Sequence, residues 1–197
     1  MNNIKSFQEI QGFLSVGYIY LIVLGILNET LYYNQIGINI LNYSSILDVL
    51  ISPIANLTSS ILSLCIFIVL IFLVIKLPGF LAKNKDRNWS KKVLKIDPDL
   101  SANEIESSFF KVFLIMISVG LLGFFVGTGI TKGIYTSKRI NEGEIEYNDK
   151  LNLINGENAD IKILGTNSSF IFYLTPEIKT VSITPIEGIV ESIVDSK

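Results

Sequence analysis

Residues 54 to 75, IANLTSSILSLCIFIVLIFLVI, hold no charged side chain and are apolar almost throughout. Fifteen of these twenty-two residues are Leu, Ile, Val or Phe. At roughly 0.4 kcal/mol each they favour the bilayer by about 6 kcal/mol before polar offsets. Phe109 to Ile130 forms a second run whose single charge, Lys111, lies near its edge. Phe13 to Leu27 is shorter and needs Glu9–Gly12 or Asn28–Tyr33 to complete a crossing of about 30 Å at about 1.5 Å per residue. The pattern predicts spans at about 11–30, 54–76 and 109–131. The first run starts too late, and lacks the basic start and small-residue site, to read as a signal peptide. Asn34, Gln35, Asn39, Asn42 and Asp48 interrupt the stretch from Leu31 to Val49, which reads as a loop and then a short interfacial helix. Ser44 or Ser45 would cap that helix, Ile46, Leu47, Leu50 and Ile51 would lie on the membrane, and Pro53 would open the next span.

From about Asn141 the apolar period changes to two. Strands are expected at Glu144–Tyr147, Leu151–Ile154, Ile161–Leu164, Phe170–Leu174 and Thr180–Thr184. A helical turn follows at Pro185–Gly188, then a closing strand at Ile189–Val194. Asn155-Gly156 and Gly165–Ser168 punctuate the hairpins. The alternating core would be Ile145, Leu151, Leu153, Ile161, Ile163, Phe170, Phe172, Leu174, Val181, Ile183, Ile186, Ile189 and Ile193. Hairpins, one short turn and a closing strand resemble the layout of small SH3-like or Sm-like barrels. The fold class is therefore three transmembrane helices, in a domain of residues 1–135, followed by a small β-barrel or β-sandwich at 140–197. So short a β-domain buries little surface alone, so neighbouring subunits or the membrane surface should support it.

Between spans two and three, Pro78-Gly79 ends one helix and Asp97-Pro98-Asp99 makes a turn. Ser101 and Glu104 have capping-box spacing, so a helix should begin at Ala102 and run into span three, with Ile105 and Phe109 on one face. The connection, residues 77–108, is basic. Lys83, Lys85, Arg87, Trp89, Lys91, Lys92 and Lys95 would contact an anionic membrane surface, each cation contributing about 1 kcal/mol. Residues 28–53 hold no Lys or Arg, so the positive-inside rule puts the basic connection and the N-terminus in the cytoplasm and the β-domain outside. Lys132, Lys138 and Arg139 beyond span three argue the other way but are fewer.

In span three Gly120, Gly123 and Gly127 fall within about 60° on a helical wheel and form a helix-packing face. Gly129 and Gly133 point roughly opposite, towards another neighbour or the exit from the membrane. Asn56, Ser59, Ser60 and Ser63 share a face of span two, as a polar seam or a pore lining. Cys65, the single cysteine, reads as a small apolar packer.

Mean hydropathy is +0.50, and 49% of residues are hydrophobic against 17% charged. This composition belongs to membranes rather than to soluble domains. High Ile, Lys and Asn content points to a bacterial source, the expected location is then the inner membrane, and the net charge of −2 gives no sign of a nucleic-acid partner. With no histidine, the chain lacks Ser-His and Cys-His nucleophile pairs and His-containing zinc sites. Glu142, Glu144 and Glu146, and Asp97 and Asp99, lack metal-loop spacing. No catalytic residue, metal site or cofactor is expected, and the span interiors are read as free of acids. The expectation is a non-enzymatic, homo-oligomeric membrane protein whose β-domain binds or assembles beside the bilayer, its partners being lipid, its own copies and another protein. The alternative is a pore-forming or membrane-disrupting effector. Three spans with a glycine-rich third and a following β-domain are similar in layout to small-conductance mechanosensitive channels. The orientation expected here is opposite to theirs, and no α/β domain follows.

Overall fold

The computed structural model describes residues 2–85, 87 and 100–194, with side chains from Leu14 onward. Trp89, Lys91, Lys92, Lys95 and the Asp97–Asp99 turn lie outside the described residues. The chain divides into two compact units, Met1–Ile54 with Phe125–Lys197, and Ala55–Phe124.

Helix α1 (Asn2–Gln35) opens the first unit. It ends where Gly37, at φ +83°, reverses the backbone so that the Ile38 N–H reaches the Tyr33 carbonyl at 2.9 Å. A 3₁₀ turn at Ile40–Asn42 leads to α2 (Ile46–Thr58). Of the two expected caps, Ser45 is the one used. Its N–H and hydroxyl donate to Asp48 Oδ2 at 2.8 and 2.7 Å, while the Asp48 N–H returns a bond to Ser45 Oγ at 3.2 Å. Val49 and Pro53 are buried, whereas Ile46, Leu47 and Ile51 stay exposed, as an interfacial helix requires. Pro53 lies inside α2 rather than opening the next span.

Helix α4 (Ala102–Glu142) carries the third apolar run. Its 41 residues make it about 60 Å long, twice the hydrocarbon thickness. The expected capping box starts it, with the Ser101 N–H and hydroxyl donating to Glu104 Oε2 at 2.9 and 2.7 Å. A Schellman motif stops it: Gly143 sits at φ +74°, its N–H reaches Ile140 O, and the Glu144 N–H reaches Arg139 O at 3.0 Å.

The sheet follows as β1 (Asp149–Leu153), β2 (Asn158–Thr166), β3 (Phe170–Thr175), β4 (Ile178–Pro185) and β5 (Val190–Val194). All pairings are antiparallel and the order is β4-β3-β2-β1-β5, so β5 folds back beside β1. The helical turn before β5 is present, with the Val190 N–H on Ile186 O at 3.1 Å. The sheet stays open, with β4 and β5 as edges, rather than closing as a barrel. Glu144–Tyr147, expected as a strand, is irregular backbone. Its alternation is real, but the segment is the exit from the Schellman turn and pairs with no strand.

Both faces of the sheet are covered at β3. On one face Ile171 packs with Leu151 and Ile161, and Leu153, Ile163 and Ile193 surround them. On the other Phe172 packs with Tyr33, Ile38 and Ile40, and Tyr43, Phe170 and Ile183 close around them. Ile171, absent from the expected core, is fully buried, while Ile189, expected inside, is 40% exposed. The sheet was expected to lean on neighbouring subunits or on the membrane; the end of α1 and the following loop supply that cover from within the chain.

The second unit holds α3 (Ile61–Lys83) and the first half of α4. The apolar run expected as one span at 54–76 is broken between Thr58 and Ile61, where Ser60 is extended at φ −128°, ψ 125°. Pro78-Gly79 does not end α3; Asn84 does, its Nδ2 donating to Phe80 O at 2.7 Å. Glu106 packs over Gly79, where a Cβ would lie 3.2 Å from the carboxylate. Helices α1 (from Leu14), α3 and α4 are long and apolar enough to cross a membrane, and only 6% of the apolar window of α3 and of α4 is buried within the chain. The molecule is a multi-pass membrane protein with a C-terminal antiparallel sheet.

Candidate functional site

The polar chemistry of the first unit gathers where α1 leaves its apolar stretch. Asn28, only 6% exposed, donates through Nδ2 to Phe125 O at 2.8 Å and to Thr128 Oγ1 at 3.1 Å. Gly129 makes this approach possible, since a Cβ there would stand 2.7 Å from Asn28 O. One turn on, a Cβ at Gly133 would lie 2.7 Å from Gln35 Cγ and 2.8 Å from Tyr32 O. Gly25 does the same on the other side of α1, where a Cβ would overlap the backbone carbonyl of Val49. Backbone-to-backbone contact of this kind replaces the hydrophobic drive that lipid cannot supply.

Glu29 sits within this junction. It accepts a hydrogen bond from the Ser52 hydroxyl of α2, and Lys132 of α4 acts on it electrostatically. Glu29 lies inside the apolar helical segment Leu14–Gln35, which corrects the reading that the spans carry no acid. The alternative completion of span one through Asn28–Tyr33 was the signal that pointed to it.

The next turn of α1 docks on the sheet. The Tyr32 hydroxyl donates to Leu164 O at 3.1 Å. The Tyr33 ring stands 5.0 Å from that of Phe172, and its hydroxyl occupies the space a side chain at Gly165 would need. A bulge between Ile163 and Gly165 carries β2 past this contact. Buried Asp149 holds the bulge, accepting the Ile163 N–H at 3.0 Å and Lys162 Nζ at 3.4 Å.

A second latch joins the β2–β3 hairpin to α2. Asp48 Oδ1 accepts the Ser168 N–H at 3.0 Å, its Oδ2 accepts the Ser168 hydroxyl at 3.1 Å, and Asn167 Nδ2 donates to Tyr43 O at 3.0 Å. Partial burial pushes the Asp48 carboxyl up, but the hydrogen bonds from Ser45 and Ser168 outweigh it and hold it below the ordinary value. One carboxylate thus caps the interfacial helix and grips the sheet.

In the second unit the site residues read from the sequence are scattered. Gly120 and Gly123 meet nothing within 4 Å, and neither does Gly127 further along α4, so among the described residues this packing face has no close occupant. Gly129 and Gly133, read as an exit or a second contact, are the glycines that α1 covers. The polar stripe is divided by the break between α2 and α3. Asn56 belongs to α2 and Ser63 to α3, Ser59 donates to Asn56 O at 2.9 Å, and Thr58 donates to Ala55 O at 3.2 Å. These hydroxyls finish a helix end rather than forming one continuous face. Lys83 and Arg87 are exposed, and Lys85 Nζ donates to Leu100 O at 2.8 Å, bringing the two ends of the connection together. Cys65, read as a packer, is exposed on α3.

No group of His, Cys, Asp or Glu among the described residues could hold a metal ion. Comparisons with protein-family models, curated proteins and solved structures find no match to this chain.

Proposed function

We propose that this chain is a non-enzymatic, homo-oligomeric protein of the bacterial inner membrane whose sheet serves assembly or binding beside the bilayer. The observation that carries the reading is the division of the α4 glycines. Gly129 and Gly133 are filled by α1, while at Gly120, Gly123 and Gly127 no atom of the described residues lies within 4 Å of where a side chain would begin. Small residues lower the cost of helix contact in lipid, so an unoccupied glycine face is suited to a neighbouring α4. The low burial of α3 and α4 within one chain supports the same reading. The lysines of the connection favour a cytoplasmic position for residues 77–108, with the sheet outside. Mass photometry of nanodisc-embedded protein tests the assembly. Wild type is expected to run as an oligomer and Gly123→Leu as a monomer; monomeric wild type overturns the proposal. Ion leak from liposomes holding the wild-type protein would replace it with the pore reading.

A further inference from the structure

Helices α3 and α4 do not close on each other along their facing stripes. Between them runs a groove of about 460 Å³, lined on α3 from Ser63 to Leu77 and on α4 from Phe113 to Phe124. At 1.5 Å per residue those stripes are about 21 and 16 Å long, at least the roughly 15 Å hydrocarbon thickness of one leaflet. The gap persists because Gly120 puts no side chain into it and Ser63 only a small one.

The dimensions and the lining decide what fills it. A helix with side chains, about 10 Å across, would need roughly 1,600 Å³ over about 20 Å, more than the groove offers. Water needs two to four polar partners, and Ser63 offers the only hydroxyl in the lining. An empty gap would forfeit dispersion contacts along both walls. The groove is also continuous with the lipid-facing surface, since Ile66 and Met116 line it and are still 53% and 62% exposed.

We propose that this groove holds one acyl chain of a phospholipid. The lipid enters from the leaflet at the Ser63 end, where the break between α2 and α3 exposes Ser59 and Ser60 to the ester region. Beyond the other end, Glu106 packed over Gly79 closes the hairpin. Gly120 lines the groove as well as the glycine face, whereas Gly123 and Gly127 do not line it, so the filling variants and Gly123→Leu test the two proposals separately.

Native mass spectrometry of the full-length protein released from detergent micelles tests it. Wild type is expected to retain one phospholipid per chain. Ile117→Trp, which fills the groove from α4, should lose it, and so should Ser63→Phe, which fills it from α3. Val119→Trp, on a face 64% exposed and outside the lining, should keep it. Circular dichroism showing wild-type helix content in each variant confirms that the loss is local. Phospholipid retained by both filling variants overturns the proposal, as does wild type that retains none. A filling variant that changes the oligomer while leaving lipid retention intact assigns the groove to a second copy instead.

Discussion

Two sets of glycines on one helix meet opposite fates. Gly129 and Gly133 lie under α1 with no room for a methyl group, while Gly120, Gly123 and Gly127 open onto nothing within 4 Å. Spacing alone does not separate them, because both sets place small residues one turn apart. The partner separates them: opposite Gly129 stands Asn28, whose amide reaches across to Phe125 O and Thr128. The contrast extends to the units. The first is closed by hydrogen bonds and aromatic packing, and the second is open and turned to lipid.

The largest test of this contrast lies in the closed unit. Phe172→Ala removes the ring that joins Tyr33 to the sheet, and a cost of about 3–5 kcal/mol is expected. Limited proteolysis in nanodiscs should then cut within residues 149–194 at protease levels that spare the wild type. Gly129→Ala comes next, at about 1–3 kcal/mol, because the displaced atoms are backbone. Gly120→Ala in the open set should instead leave thermal stability unchanged or raise it by up to about 1 kcal/mol, as Gly-to-Ala does in an unobstructed helix. Equal losses for the two substitutions would erase the distinction. Asn28→Leu should cost about 1 kcal/mol, the usual worth of a hydrogen bond between membrane helices.

The smallest effect is the pH dependence of the Asp48 latch. Its carboxyl titrates lower in the folded protein than the ordinary value of 3.8. The stability it contributes is therefore complete above that value and lost as pH falls through the folded pKa. Because Asp48 is only partly buried and solvent screens it, less than about 1 kcal/mol is at stake. The difference in melting temperature between wild type and Asp48→Asn should shrink as the medium is acidified below pH 3.8.

The spans were legible because apolar runs of bilayer length have few other solvents, and the caps at Ser45 and Ser101 because their spacing carries its own geometry. The strands of residues 149–194 were legible from alternation and turn residues. Alternation misled at Glu144–Tyr147, where Gly143 after Asn141-Glu142 was the better signal of a helix end. It also hid Ile171, because a strand packed on both faces has no polar side to mark its register. The break at Ser59-Ser60 was read as a polar face of a continuous helix, since serine is tolerated in both. Tyr32, Tyr33 and Glu29 were illegible as a junction: their partners Leu164, Phe172 and Ser52 are distant in sequence, and no local pattern predicts the pairing.

The account rests on three crossings, which would put the β2–β3 hairpin and Arg87 on opposite sides of the bilayer. A membrane-impermeant maleimide applied to sealed vesicles tests this, with single cysteines at Ser168 or Arg87 in a Cys65→Ser background. Labelling of one of the two positions before permeabilisation and of the other only afterwards is the predicted result. Labelling of both from the same side would contradict the three-span fold.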